Sequence, residues 1–266
     1  MRLGIYLVAT FAITWSSWWT LAHFIPPGGS PSASPGFMIL YLLGGFGPTI
    51  GAIIAVASTR RAYGRGDYLA RLLRWRVGAV WWLAAIAAPT LFAAGKEWIA
   101  VWAGGGGVTP ADLDAPAKAL VIFPTMIVGG GLEELGWRGV AQPEVERRIS
   151  RLAATLVVGA AWALWHLPLF HIPGVSQSGG DFPLFALDVV SNAYLLAWLY
   201  ARTQSILLCV VGHAASNSAT AMGVMAITLH AATPLWIAVS VKLLAAVILV
   251  ATTLPRSVDG PSGPHR

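Results

Sequence analysis

Apolar runs, each about 20 residues long and joined by short segments that often carry arginine, most limit what this 266-residue chain can fold into. About 20 consecutive apolar residues cross the hydrocarbon core of a bilayer as a helix. Eight stretches read this way: about 4–25, 37–58, 77–103, 117–137, 152–170, 184–201, 205–229 and 234–254. Pro48 marks a kink in the second, and Lys96 and Glu97 interrupt the third. Composition agrees. Hydrophobic residues make up 56% and charged residues 11%, where a soluble domain carries about 25% charged residues. The expected fold class is all-α, a multi-pass membrane protein with about eight transmembrane helices. A single membrane domain over 1–266 is expected, ending in a short disordered tail, 255–266, rich in Pro and Gly.

The arginines orient these spans. Arg60, Arg61, Arg65, Arg71, Arg74 and Arg76 lie between the second and third, and Arg147, Arg148 and Arg151 between the fourth and fifth. Arg2 precedes the first, Arg202 separates the sixth from the seventh, and Arg256 follows the last. The opposite connections, about 26–36, 104–116, 171–183 and 230–233, contain no Lys or Arg. By the positive-inside rule both termini are cytoplasmic, a result that an even span count fits. The net charge of +6 would suggest nucleic acid in a soluble protein. Here the basic residues flank apolar segments, so anionic lipid is the partner they fit and no nucleic acid is expected. Residues 59–76 read as a basic segment lying amphipathically on the membrane surface. The apolar N-terminal stretch is too long for a signal peptide and reads as a retained span. The single cysteine, Cys209, supports neither a disulfide framework nor a zinc-type pair.

Against this background the stretch GGGLEELGWRG, residues 129–139, stands out. A charge at the centre of a spanning helix costs roughly 2.5–3.5 kcal/mol on insertion scales. Glu133, Glu134 and Arg138 sit together in the fourth span, His166 in the fifth, and His213 with Asn217 in the seventh. Glu134 and Arg138 are at i and i+4 with the acid first, the favourable order for a pair on one helix face. Glu133 is rotated about 100° away, so the two carboxylates need not share a partner. Trp162 and His166, and His213 and Asn217, repeat the i, i+4 spacing. Glu133 and His166 are nearly equidistant from the turn near residue 150 and could face each other. Gly129, Gly130 and Gly131 permit close helix approach or local unwinding, and Pro124 adds a kink.

A carboxylate in a partly dry cavity can act as general base on water. A histidine opposite can share the proton, and a histidine and an amide on another helix can donate to a developing oxyanion. Together these parts describe amide hydrolysis by an activated water, with no protein nucleophile. The same Glu and two His could instead ligate zinc with water in the fourth position, although no H-E-x-x-H pattern is present. They could also serve as interhelical hydrogen-bond glue, with Glu134–Arg138 a structural ion pair. A transporter would call for internal pseudo-symmetry, and the chain shows no repeat. Lys96, Glu97 and Lys242 could pair or snorkel. Asp188 and Asn192, one turn apart, could line the cavity or simply pack.

The motifs EELGWR (Glu133, Glu134, Arg138), WALWH (Trp162, His166) and HAASN (His213, Asn217) resemble, in order and spacing, the EExxxR, FxxxH and HxxxN motifs of the CPBP or ABI membrane proteins. That family includes the type II CAAX prenyl endopeptidases. The resemblance covers about residues 115–230 and departs from the pattern where Trp162 replaces Phe. It implies an intramembrane glutamic endopeptidase with a peptide or membrane-protein substrate. Glu133 would activate water with His166 assisting, His213 and Asn217 would form the oxyanion hole, and Glu134, Arg138 and Trp162 would support them. No cofactor is implied, zinc being the alternative. The eukaryotic relatives remove the last three residues of prenylated proteins, whereas bacterial relatives are linked to peptide maturation and bacteriocin immunity, some as scaffolds. The Arg-rich, Ala/Gly-rich composition points to a bacterial plasma membrane.

Overall fold

The computed structural model describes residues 1–58, 65–108, 115–221, 227–229 and 233–253. Arg60, Arg61, His230, Arg256 and the tail at 255–266 lie outside the described residues. The described chain is built almost wholly of helices. They are α1 (Arg2–Phe24), α2 (Pro35–Gly45), α3 (Gly47–Ser58), α4 (Arg65–Leu72), α5 (Ala79–Ala100), α6 (Ala115–Gly129), α7 (Glu134–Gly136), α8 (Gln142–Glu146), α9 (Arg151–Trp165), α10 (Phe182–Thr203), α11 (Ile206–Ala221) and α12 (Thr233–Thr253).

Among the described residues, five segments are long and apolar enough to cross a membrane: Ala79–Gly104, Lys118–Glu146, Arg151–His171, Phe182–Thr203 and Pro234–Thr253. The α2–α3 pair makes a sixth if its 51° bend lies within one span. All eight expected stretches contain helix, but α1 and α11 fall outside this set. α1 has 23 residues and carries a polar stripe, with Thr10, Thr14 and Ser17 buried against the rest of the molecule. α11 has 16 residues, about 24 Å of helix, and ends at Ala221 rather than running on to 229. Ile227–Leu229 instead pairs as a short antiparallel strand with Gly106–Val108, Gly106 opposite Leu229. The β-branched Ile227 and Thr228 favour that extended backbone.

The bend expected at Pro48 falls just before it, between Gly45 and Gly47. Pro48 occupies the first turn of α3, where its missing N–H costs nothing. Gly47 and Gly51 then bring α3 against Thr14 and Thr10 of α1, close packing of the small-residue kind used between membrane helices. Trp18 Nε1 donates to the Tyr41 carbonyl at 2.9 Å, and Thr14 Oγ1 to the Gly44 carbonyl at 2.7 Å.

The fourth expected span is the least regular. α6, with Pro124 inside it, gives way to a 3₁₀ turn at Gly131–Glu133, the short α7, a π-helical turn at Trp137–Ala141, and α8. Such turns leave carbonyls without their usual helical partners. Helix α4 takes up two of these. Tyr68 Oη donates to the Leu135 carbonyl at 3.0 Å and Arg71 Nη1 to the Gly139 carbonyl at 3.2 Å. Burial pushes the Tyr68 hydroxyl up to about 12, so it remains a donor throughout the physiological range. The basic segment at 65–76 therefore does more than face lipid. Leu69, Leu73 and Trp75 are exposed, while Tyr68 and Arg71 brace the irregular span.

Candidate active site

Glu133 closes the 3₁₀ turn and Glu134 opens α7, so the two neighbouring carboxylates point to different partners, as the 100° rotation between adjacent helical positions requires. Glu134 receives Arg138 Nη1 on both oxygens, at 3.1 and 3.0 Å, and both side chains are completely buried. Arg138 Nη2 donates to the Ala193 carbonyl of α10 at 3.0 Å, and its guanidinium lies 5.0 Å over the Trp162 ring. His213 of α11 adds a third bond to the same acid, Nδ1 to Glu134 Oε1 at 3.0 Å. One carboxylate thus ties α7, α10 and α11 together, through hydrogen bonds that balance the desolvation of its charge.

Glu133 has another environment. The Trp162 indole N–H donates to Glu133 Oε2 at 2.6 Å. The backbone carbonyl of the same tryptophan lies 2.9 Å from His166 Nδ1. A carbonyl only accepts, so His166 Nδ1 carries the proton. In the neutral ring Nε2 is then the acceptor. Glu133 and His166 do not bond to each other directly. Trp162 stands between them and holds both. This refines the equidistance expectation, and it gives Trp162 a function that the aromatic-for-aromatic exchange concealed, because phenylalanine has no N–H to offer.

The glycines divide in the same way. A Cβ at Gly130 would collide with Asn217 Nδ2 and would lie 3.3 Å from His213 Nε2. One at Gly131 would meet the Val210 carbonyl oxygen at 2.7 Å. One at Gly129 would meet nothing within 4 Å. The glycine pair at 130–131 therefore lets the start of the glutamate segment lie directly on α11, and it places Asn217 and the Nε2 edge of His213 beside the Gly130 backbone. The rings of Trp162 and His213 meet edge to face at 5.1 Å. Glu133, His166 and His213 are buried, while Asn217 is half-buried.

All seven residues singled out in the sequence thus gather where α6–α8, α9 and α11 meet. Among the described residues, no group of three His, Cys, Asp or Glu side chains is placed to hold a metal ion.

A second polar cluster lies next to this one. Lys242 Nζ of α12 donates to Asp188 Oδ1 at 2.9 Å and to Asn192 Oδ1 at 3.0 Å, and Lys96 Nζ of α5 approaches Asp188 Oδ2 at 3.4 Å. Ser216 Oγ of α11 reaches Asn192 Oδ1 at 3.5 Å. The sequence signal for it was the i, i+4 spacing of Asp188 and Asn192. Nothing in one dimension paired them with lysines about 50 and 90 residues away.

Residues 115–219 match the family described as type II CAAX prenyl endopeptidase Rce1-like. The chain is also 25% identical over 223 residues to CAAX prenyl protease 2 of Methanococcus maripaludis, a match covering 79% of this chain and 80% of that protein. The segment 115–219 that resembles this family holds Glu133, Glu134, Arg138, Trp162, His166, His213 and Asn217.

Proposed function

We propose that this membrane peptidase hydrolyses a peptide bond of a membrane-associated protein or peptide with a water activated at Glu133. The observation that carries the reading is the double role of Trp162. Its N–H holds one oxygen of Glu133 and its carbonyl holds Nδ1 of His166. The remaining lone pairs of Glu133 and the Nε2 lone pair of His166 are left to bind one water. Glu133 takes a proton as the water oxygen bonds to the scissile carbon. The carbonyl oxygen becomes an oxyanion, held by Asn217 Nδ2–H and His213 Nε2–H. His213 already gives its Nδ1–H to Glu134, so donating from Nε2 as well makes it an imidazolium. Glu134, fixed by Arg138, is the counterion. The C–N bond then breaks, and the leaving amine takes the proton from Glu133.

The arginine asymmetry supports an orientation with both termini cytoplasmic, and the Arg-rich, Ala/Gly-rich composition supports a bacterial plasma membrane. The relative's name supports a C-terminal, prenylated substrate as the first class to try. The test is cleavage of fluorogenic peptides, prenylated and unprenylated, by the purified chain in liposomes. Glu133→Ala and His213→Ala should each lower kcat by about 10²- to 10⁴-fold, with wild-type activity surviving chelator. A Glu133→Ala variant that cuts at the wild-type rate would overturn the assignment.

A further inference from the structure

Residues 65–76 have two faces, and each meets something different. Helix α4 has eight residues, about 12 Å of helix, far short of the roughly 30 Å of a bilayer's hydrocarbon core. It lies between α3, which ends at Ser58, and α5, which begins at Ala79. A segment this short and this basic, joining two apolar helices, lies at the face of the bilayer.

The inner face grips the elements that carry the site. Tyr68 and Arg71, one helical turn apart, hold the Leu135 and Gly139 carbonyls of the irregular span. Arg71 Nη1 also donates to Tyr200 Oη of α10 at 2.5 Å, and its Nε to Asp67 Oδ2 at 3.0 Å. Just past α4, the Arg74 carbonyl accepts from Ser205 Oγ at 2.7 Å, and that oxygen in turn accepts the Leu208 N–H at 3.1 Å, in the first turn of α11. One short segment is thus bonded to the stretch that carries Arg138, to α10, and to the root of the helix that carries His213.

The outer face is exposed. Arg65, Leu69 and Leu73 repeat at four-residue spacing along one stripe, and they are exposed together with Arg74, Trp75 and Arg76. Asp67 is the single acid between positions 59 and 76, and Arg71 already holds it. Arg65 gives one donor to the Ala57 carbonyl at 3.2 Å, and Arg76 lies over the Trp75 ring at 5.1 Å. A guanidinium has five donors, so both keep capacity for a ligand. Leucines and a tryptophan interleaved with arginines sink apolar groups among acyl chains and leave cations at the headgroups. Any bilayer satisfies the apolar part, whereas the arginines call for headgroups of net negative charge. Because α3 and α5 already hold the segment at the membrane, docking is an intramolecular event and a few contacts suffice.

We propose that residues 65–76 form a docking surface for anionic lipid headgroups, and that docking steadies the irregular span behind it. Lipid on the outer face favours the placement of α4 in which Tyr68 and Arg71 reach their carbonyls, so it stabilises that arrangement. The docking and the bracing stand on these contacts alone, and an effect on cleavage rests on the peptidase reading.

The experiment uses the full-length chain in vesicles of phosphatidylcholine alone or of a phosphatidylcholine–phosphatidylglycerol mixture. Ala70→Cys, at an exposed position outside these contacts, takes an environment-sensitive dye, Cys209 being buried. Backbone hydrogen exchange at 131–141 reads the bracing, and kcat on a neutral fluorogenic peptide reads the site. In the anionic vesicles the dye should shift to the blue, and exchange at 131–141 should slow about 5- to 30-fold, as for one or two hydrogen bonds made firmer. Cleavage should quicken, and high salt should reverse all three changes. Arg74→Gln combined with Arg76→Gln should lower the docked-to-free ratio about 5-fold per arginine and leave activity in the neutral vesicles unchanged. Tyr68→Phe should dock like wild type yet show a smaller slowing of exchange. Equal dye signals in the two vesicles, a double-arginine variant that docks like wild type, or exchange that docking leaves unchanged would overturn the proposal. So would a dye shift that follows protein density instead of lipid charge, since the occupant would then be a second copy of the chain. Docking and slowed exchange with an unchanged kcat would overturn the effect on cleavage. The same two signals with no peptide cut in either vesicle leave the docking surface standing and remove the peptidase reading.

Discussion

Two charged clusters lie side by side in the apolar interior, and they are built on opposite principles. Around Glu134 every charge is enclosed. The acid and Arg138 are completely buried, and His213 and the Ala193 carbonyl take up further bonding capacity. Around Asp188 the acid is 24% exposed and Lys96 is partly open. A closed, balanced cluster suits a part that must not move. A more open one is held less tightly and tolerates the loss of a partner better. Burial, more than the presence of ionised groups, separates the two.

The largest expected effect tests that contrast directly. Arg138→Met leaves Glu134 buried beside a single histidine, and should cost about 3–5 kcal/mol of stability. Lys242→Met leaves Asp188 with Lys96 and partial exposure, and should cost less than half as much. Thermal unfolding in detergent, followed by tryptophan fluorescence, measures both. Equal losses would mean that the two clusters are alike in kind.

Next in size is Gly130→Ala. The added methyl must displace Asn217 Nδ2, a shift of the order that costs about 10²-fold when a catalytic donor is misplaced. Gly129→Ala, one residue away and facing open space, should leave kcat within about twofold of wild type and gain slightly in helix propensity. Parallel kcat measurements on the pair separate close approach from general helix weakening. Equal losses would show that helix weakening, and not the Asn217 contact, is responsible.

The smallest expected effect belongs to Trp162→Phe. It removes one hydrogen bond to Glu133 while keeping the ring and the backbone carbonyl that holds His166. A loss of about 10-fold in kcat, with little change in KM, is expected from one charge-assisted bond of modest worth. A change in KM alone would mean that the indole shapes binding and not the position of the base.

Much of the site is legible along the chain because membrane burial makes polar residues conspicuous. Glu133, Glu134, Arg138, His166, His213 and Asn217 stand out as strongly polar groups in apolar runs. The i, i+4 spacing predicts the Glu134–Arg138 pair, and helix rotation predicts that Glu133 turns elsewhere. Trp162 was underrated. Among 13 tryptophans, nothing local distinguishes an indole whose N–H is used from one that only packs. The Lys96–Asp188–Lys242 triad was equally hidden, since its members come from three helices far apart in sequence. The early end of α11 and the strand at Ile227–Leu229 escaped for a related reason. A short apolar run carries no periodic signal that separates helix from strand.

The amino-acid sequence by itself determined that this chain must live in a bilayer, that its backbone must be helical there, and which helices carry ionisable groups. Those follow from local quantities: hydropathy over about 20 residues, the need to satisfy backbone polar groups without water, and fixed helical spacing. Only the tertiary structure decided which acid is sealed by an arginine, which is held by an indole N–H, and which histidine nitrogen meets a backbone carbonyl. Those properties depend on contacts between helices, and on short-range terms that a shift of about 1 Å would undo.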